Sequence, residues 1–114
     1  MSRRFTLGFA LAIATTLCVA RAASAQDAAA LYLKNCKNCH GPAGGEPSPA
    51  MKARLNPPKL FDAAFLAKTS DQKFMDSMTK GGEKMKPLGD KMTKPQMEAV
   101  IKYVRDYMKN EAGK

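Results

Sequence analysis

Two of the chain's three cysteines and its single histidine fall within five consecutive positions, Cys36-Lys37-Asn38-Cys39-His40. On a helical turn, positions i, i+3 and i+4 share one face, so Cys36, Cys39 and His40 can all point at one object. Two thiols and an imidazole at this C-x-x-C-H spacing are the attachment signature for a c-type haem. The thiols add across the porphyrin's two vinyl groups as thioethers, and the adjacent imidazole coordinates the iron from one side. The spacing suits that task because both vinyl-derived carbons and the iron must be met at once.

Other uses of these residues fit less well. Structural zinc takes four protein ligands, and no second ligand pair accompanies Cys36, Cys39 and His40. A thioredoxin-like dithiol needs a βαβ pattern beside it, and no run of alternating β-branched residues suggests a strand. A structural Cys36–Cys39 disulfide leaves the neighbouring histidine unexplained. With His40 on the iron there is no second histidine for the opposite face. Methionine, water or, more rarely, lysine must serve there. Met75, Met78, Met85, Met92 and Met97 are the methionines in range. Met75, Met78 and Met97 stand at helical spacing among apolar residues, as core residues do. Met85 stands apart, in the loop "GGEKMKPLG", without helical periodicity and flanked by charges.

The elements that must position these residues are helical. A first helix is predicted over about Asp27 to Lys37, with Leu31 and Tyr32 inward. Gly41 to Pro58 reads as a loop because Pro42, Gly44, Gly45, Pro47, Pro49, Pro57 and Pro58 interrupt it, with one short helical turn from Pro49 to Leu55. Short helices are predicted over Asp62 to Lys68 and Asp71 to Lys80. The latter has Phe74, Met75 and Met78 on one face and Gly81-Gly82 at its end. In the last helix, Thr93 and Gln96 form a capping box and Pro95 lies in the first turn. Met97, Val100, Ile101, Val104 and Met108 then recur as one apolar stripe, flanked by Tyr103 and Tyr107. The expected fold is all-α, with about 3–5 helices around one covalently attached haem.

Residues 1–25 read as a cleaved secretory signal, and 26–114 as the single working domain. Arg3 and Arg4 make a basic start, Phe5 to Ala20 an apolar run, and Ala23-Ser24-Ala25 a cleavage site before Gln26. An uncleaved anchor is the alternative, because Arg21 is unusual so near a cleavage site. Cys18 lies inside the apolar run behind Leu17, where a lipoprotein signal would have a small residue, and reads as disposable. Removing 25 of the 114 residues leaves 89. Three of the 19 basic residues and no acidic ones go with them, taking the net charge from +9 to +6. Such a charge favours acidic partners. Nucleic acid is a poor fit, since no basic helix stripe or interleaved aromatics appear. A domain of this size is near the lower limit for an apolar core alone, so a cofactor is a useful staple.

The stretch "ALYLKNCKNCHG" resembles the N-terminal helix and haem-attachment site of the class I cytochromes c, small bacterial periplasmic monohaem members, with Tyr32 at the family's aromatic position. "PPKL" resembles the family's Pro-x-Leu. "MKPLGDKMTKPQMEAVIKYVRDY" is similar to its methionine loop and C-terminal helix, and the likeness covers residues 27 to 110. The resemblance implies haem c on Cys36 and Cys39, His40 and Met85 as the axial, metal-binding residues, and Met92 in the core. It also implies that the Pro58 carbonyl accepts from His40 Nδ1–H, a bond that orients a ligating imidazole. The chain departs from the pattern at Lys86, between Met85 and Pro87, at Leu88 in place of an aromatic, and at Ala28 where glycine is common. It also has no tryptophan to contact a propionate, and Arg54 is the candidate replacement.

These readings imply a periplasmic electron carrier and not an enzyme, since no base, nucleophile or second metal is arranged for turnover. Lys34, Lys37, Lys84, Lys86, Lys91 and Lys94 flank the ligand segments and would steer an acidic redox partner, although any one of them also reads as ordinary solvated surface. The chain is expected to be a monomer or a subunit of a complex, with no stable membrane insertion once the signal is cleaved. Two rivals stand beside the carrier: a haem-bearing subunit of a larger periplasmic dehydrogenase or reductase, and an NO- or CO-binding protein with Met85 off the iron.

Overall fold

The computed structural model describes residues 27–114, and the expected leader 1–25, with Cys18, lies outside them. Helix α1 covers 27–35 and, after a turn at Cys36, α2 covers Lys37–His40. The helical path therefore runs on to the histidine, beyond the predicted end at Lys37. Backbone bonds explain the extension. Cys36 N–H donates to the Tyr32 carbonyl and His40 N–H to the Cys36 carbonyl, each at 2.9 Å, so i to i−4 bonding bridges the irregular angles at Cys36 (φ −118°, ψ −38°). Gly41 ends the path at φ +83°, where a Cβ would lie 2.5 Å from the Glu46 carbonyl group.

Each later helix begins at a side-chain cap. Ser48 accepts from Met51 N–H before α3 (Pro49–Leu55), Asp62 from Phe65 N–H before α4 (Ala63–Lys68), and Ser70 from Lys73 N–H before α5 (Asp71–Lys80). Asp62, predicted as the first helical residue, is thus the cap. Thr93 and Gln96 form the reciprocal capping box that opens α6 (Lys94–Ala112). No strand occurs among the described residues.

The apolar stripe of α6 is the spine of the core. Met97, Val100, Ile101 and Val104 are buried and Met108 is half-buried at its edge. Each full burial stabilises by about 1.5–3 kcal/mol. From α1, Tyr32 enters this core completely buried, its ring 6.0 Å from that of Tyr103 and 5.0 Å edge-on from Phe61. Leu31, its expected inward companion, is only half-buried against the cluster. Ala28, where a glycine is common, is buried as well, so its methyl group is accommodated in the packing of α1. From α5, Phe74 and Met78 are buried, and Thr79 Oγ1 lies 3.9 Å from the Met97 sulfur on α6.

A three-way polar clamp fixes α6 against the α4–α5 junction. Arg105 donates through Nε to Asp71 Oδ1 at 2.5 Å, through Nη1 to the Leu66 carbonyl at 3.2 Å, and through Nη2 to the Thr69 carbonyl at 2.5 Å. The guanidinium fork suits this because it holds several donors in a fixed plane. Asp71 is mostly exposed, so the two carbonyl bonds carry most of the effect. Replacing Arg105 with Ala is expected to lower stability by about 1–3 kcal/mol, read as a lower denaturant midpoint of the haem-loaded protein at unchanged m. A variant within about 0.3 kcal/mol of the parent would remove the clamp from this account.

Candidate functional site

The Cys36–His40 turn stands at the edge of the apolar core. Cys36 is buried and belongs to the core cluster, Cys39 is half-buried, and both are free thiols. Burial first, and then the nearby Cys39, push the Cys36 thiol up to about 11, so it is held protonated. His40 is also buried, and desolvation lowers the imidazole below its usual range, with the Pro58 bond opposing. The ring is therefore neutral near pH 7, as a nitrogen ligand must be.

The structure brings His40 and Pro58 together, with Nδ1 of the imidazole donating to the Pro58 carbonyl at 2.9 Å. No buried side-chain nitrogen or oxygen lacks a partner among the described residues, and His40 Nε2 has no hydrogen bond to any of them. Nε2 therefore has its lone pair free of every described residue. This donor set fits a c-type haem: one oriented imidazole nitrogen beside two free thiols on the same turn. Among the described residues no three His, Cys, Asp or Glu side chains converge on a common point for an ion.

Two contacts that hold the turn are not evident from sequence spacing. The Tyr32 hydroxyl donates to the Gly41 carbonyl at 2.6 Å in a buried bond, tying α1 to the residue after the histidine. Burial pushes this phenol well above its usual range, so it stays a donor. Tyr107 on α6 packs against Gly44, where a Cβ would lie 2.8 Å from the phenolic oxygen. The aromatic residue types give the only advance signal of either contact.

The other candidate residues fall in different surroundings. Met85 is half-buried and packs against the core cluster that contains Cys36, whereas Met78, Met92 and Met97 are buried within it. Arg54 lies exposed on α3, in no hydrogen bond or ion pair with the described residues that would bring it to His40.

The Met85 turn is closed on itself at one end and on α5 at the other. Gly82 N–H donates to the Met85 carbonyl at 2.9 Å, and Leu88 N–H to the Met78 carbonyl at 2.8 Å. Gly81, at φ +72°, permits this: a Cβ there would stand 2.5 Å from the Met85 carbonyl oxygen and 2.8 Å from Pro87 N. Gly82 has nothing within 4 Å of such an atom. Gly81→Ala is therefore expected to cost about 1–3 kcal/mol in denaturant unfolding and to shift the Met85 methyl resonance, while Gly82→Ala does neither. Equal effects from the two substitutions would contradict this geometry.

A model of the family described as cytochrome c oxidase, cbb3-type, subunit III matches residues 23–104. Among solved structures, the chain is similar to the KustC0563 c-type cytochrome at 34% identity and a TM-score of 0.63, over 71% of this chain and 96% of that one. A tyrosine-to-phenylalanine mutant of that cytochrome is similar at 33% identity and the same TM-score, over 71% of this chain and 98% of the other. No curated protein matches the chain. With the helical fold and the Cys36–His40 turn in place, these likenesses mean that the chain belongs to the cbb3-type cytochrome c oxidase subunit III family, as a small class I cytochrome c of the kind that serves haem-based electron transfer.

Proposed function

We propose that the chain is a periplasmic electron carrier with one haem c, held by thioethers from Cys36 and Cys39 and by His40 and Met85 as axial ligands. The reading rests above all on the His40 ring, whose Nδ1 is engaged by the Pro58 carbonyl at 2.9 Å while Nε2 has no partner among the described residues. An imidazole fixed through one nitrogen offers the other as a ligand of defined direction. When bound, the haem supplies a one-electron couple at its iron. His40 and Met85 would hold that iron, Cys36 and Cys39 would hold the porphyrin, and the apolar surround would keep water away. Met85 contributes a neutral thioether, a weak donor that favours the reduced state, as does an apolar surround.

Docking is assigned to lysines. Lys34, Lys37, Lys84, Lys86, Lys91 and Lys94 are all exposed, and none forms an ion pair with a described residue. Their charge is therefore available to an acidic redox partner. Residues 1–25 are assigned as the export signal, and no helix among the described residues is long and apolar enough to cross a membrane. A second reading, as the haem-bearing subunit of a larger complex, is favoured by the family's description as an oxidase subunit.

A low-spin absorption spectrum with a weak sulfur-to-iron(III) charge-transfer band, unchanged by CO after reduction, is the expected result. A high-spin spectrum or ready CO uptake would instead support the small-ligand reading. Met85→Ala should abolish the sulfur band and lower the potential, and loss of the band in Met92→Ala instead would move the ligand there. Electron transfer to an acidic partner should slow as ionic strength rises from 0.01 to 0.15 M, where the Debye length falls from ~30 to ~8 Å. A flat salt dependence would remove the lysines from docking. Co-purification with a larger oxidoreductase would select the subunit reading.

A further inference from the structure

The His40–Pro58 bond raises the question of what holds the Pro58 carbonyl in place. Pro57 and Pro58 have no N–H to give, and among the described residues Pro57 to Phe61 make no backbone-to-backbone hydrogen bond outside helices. On one side of Pro58, Asn56 N–H is tied back to the Met51 and Lys52 carbonyls at 3.3 and 3.0 Å. On the other, Leu60 and Phe61 are buried in the core. Between these anchors stands Lys59, whose Nζ lies 2.8 Å from Glu46 Oε1, while the other carboxylate oxygen, Oε2, is 2.5 Å from Lys52 Nζ on α3.

Glu46 is well placed to brace this loop. Its carbonyl group packs against Gly41, the residue after His40, as the 2.5 Å approach of a Cβ built there records. The Glu46–Lys59 pair is therefore a second crosslink beside the His40–Pro58 bond, tying the residue after Pro58 to a loop residue that packs on Gly41. Hydrogen bonds from both lysines hold the Glu46 carboxyl down to about 2, so the brace is charged at all ordinary pH. The same hydrogen bond and the Glu46 charge raise Lys59 above its ordinary value, with a smaller addition from the Asp62 carboxylate, so its ammonium stays charged.

We infer that Glu46 is a positioning residue for His40, acting through Lys59 to keep the Pro58 carbonyl on the imidazole Nδ1–H. The inference rests on the proposed role of His40 as an iron ligand for its effect on potential, but not for its effect on the hydrogen bond. The electronic consequence follows in order. A firm Nδ1–H bond makes the imidazole a stronger donor to a metal, and loosening it weakens that donation and favours the reduced state.

The test uses the haem-loaded protein and the variants Glu46→Gln, Lys59→Gln and the double. Solvent exchange of the His40 Nδ1 proton, followed by NMR, should speed up about two- to fivefold in each single variant, the size expected of an exposed pair. The double should match Glu46→Gln, because Lys59 acts only through that carboxylate, and Glu46→Gln also releases Lys52. Parent exchange should approach that of the variants in 1 M salt. The midpoint potential separates this from simple charge removal. Loss of the brace raises it in both singles, whereas loss of one positive charge at Lys59 would lower it. Opposite shifts in the two singles, cancelling in the double, or unchanged exchange rates would overturn the inference. If exchange responds as expected but the spectrum lacks histidine ligation, the brace stands and the ligand assignment falls.

Discussion

The hydrogen bond from His40 to Pro58 organises more of this molecule than its length suggests. It joins the end of the first helical path to an irregular segment that has few bonds of its own, and so closes the loop between them. Contacts on the residues that follow hold the same turn. Tyr32 ties α1 to Gly41, Gly41 admits the Glu46 backbone, and Tyr107 packs on Gly44. An imidazole is useful as a ligand only when neutral and aimed, and burial secures the first while this bond secures the second.

Around that fixed ring the core divides by chemistry. Tyr32, Phe61, Tyr103 and Tyr107 form edge-on and tilted aromatic contacts between α1, the segment before α4, and α6. Met78, Met92 and Met97 gather where α5, the 81–92 loop and α6 meet. Aromatic contacts have preferred geometries and resist rearrangement, whereas methionine is unbranched and fills irregular space. The firm side thus carries the attachment turn, and the adaptable side adjoins the Met85 loop. In a domain near the lower size limit for an independent core, placing Cys36 inside the apolar cluster makes the proposed anchor of the haem part of the packing.

What the sequence made legible was local. Thr93 with Gln96, Ser48 and Ser70 act within three residues of themselves, so helix starts follow from residue type. The stripe from Met97 to Val104 follows from a 3.6-residue period, and the Cys36–His40 spacing from one helical turn. The misses are contacts over long sequence distance. Arg105 bonds to residues 34, 36 and 39 positions away, and nothing in its own neighbourhood marks which carbonyls it will meet. Lys59 reads as one lysine among many until the loop closes and Glu46 arrives beside it. The helical path runs three residues past the expected end at Lys37 because His40 N–H still reaches the Cys36 carbonyl and Gly41 N–H the Lys37 carbonyl, bonds that no residue type announces. Pro58 was reached only through family likeness, since a carbonyl has no side-chain signature.

The choice among methionines for the proposed second axial ligand turns on the same separation of local and distant causes. A side chain already committed to the core cannot leave it without opening a cavity, at about 2–5 kcal/mol for a large residue. Met78, Met92 and Met97 are so committed, and the Met97 sulfur also lies against the Thr79 hydroxyl. Met75 is half-buried but belongs to the body of α5, where the helix fixes its direction. Met85 alone of the five combines partial burial against the core with a backbone set by a closed turn and not by a helix. Gly81 allows that turn to press its carbonyl inward, and Pro87 stiffens its exit. A sulfur held this way is available to a ligand without costing the core its packing, which is the physical reason to seek the second axial ligand there.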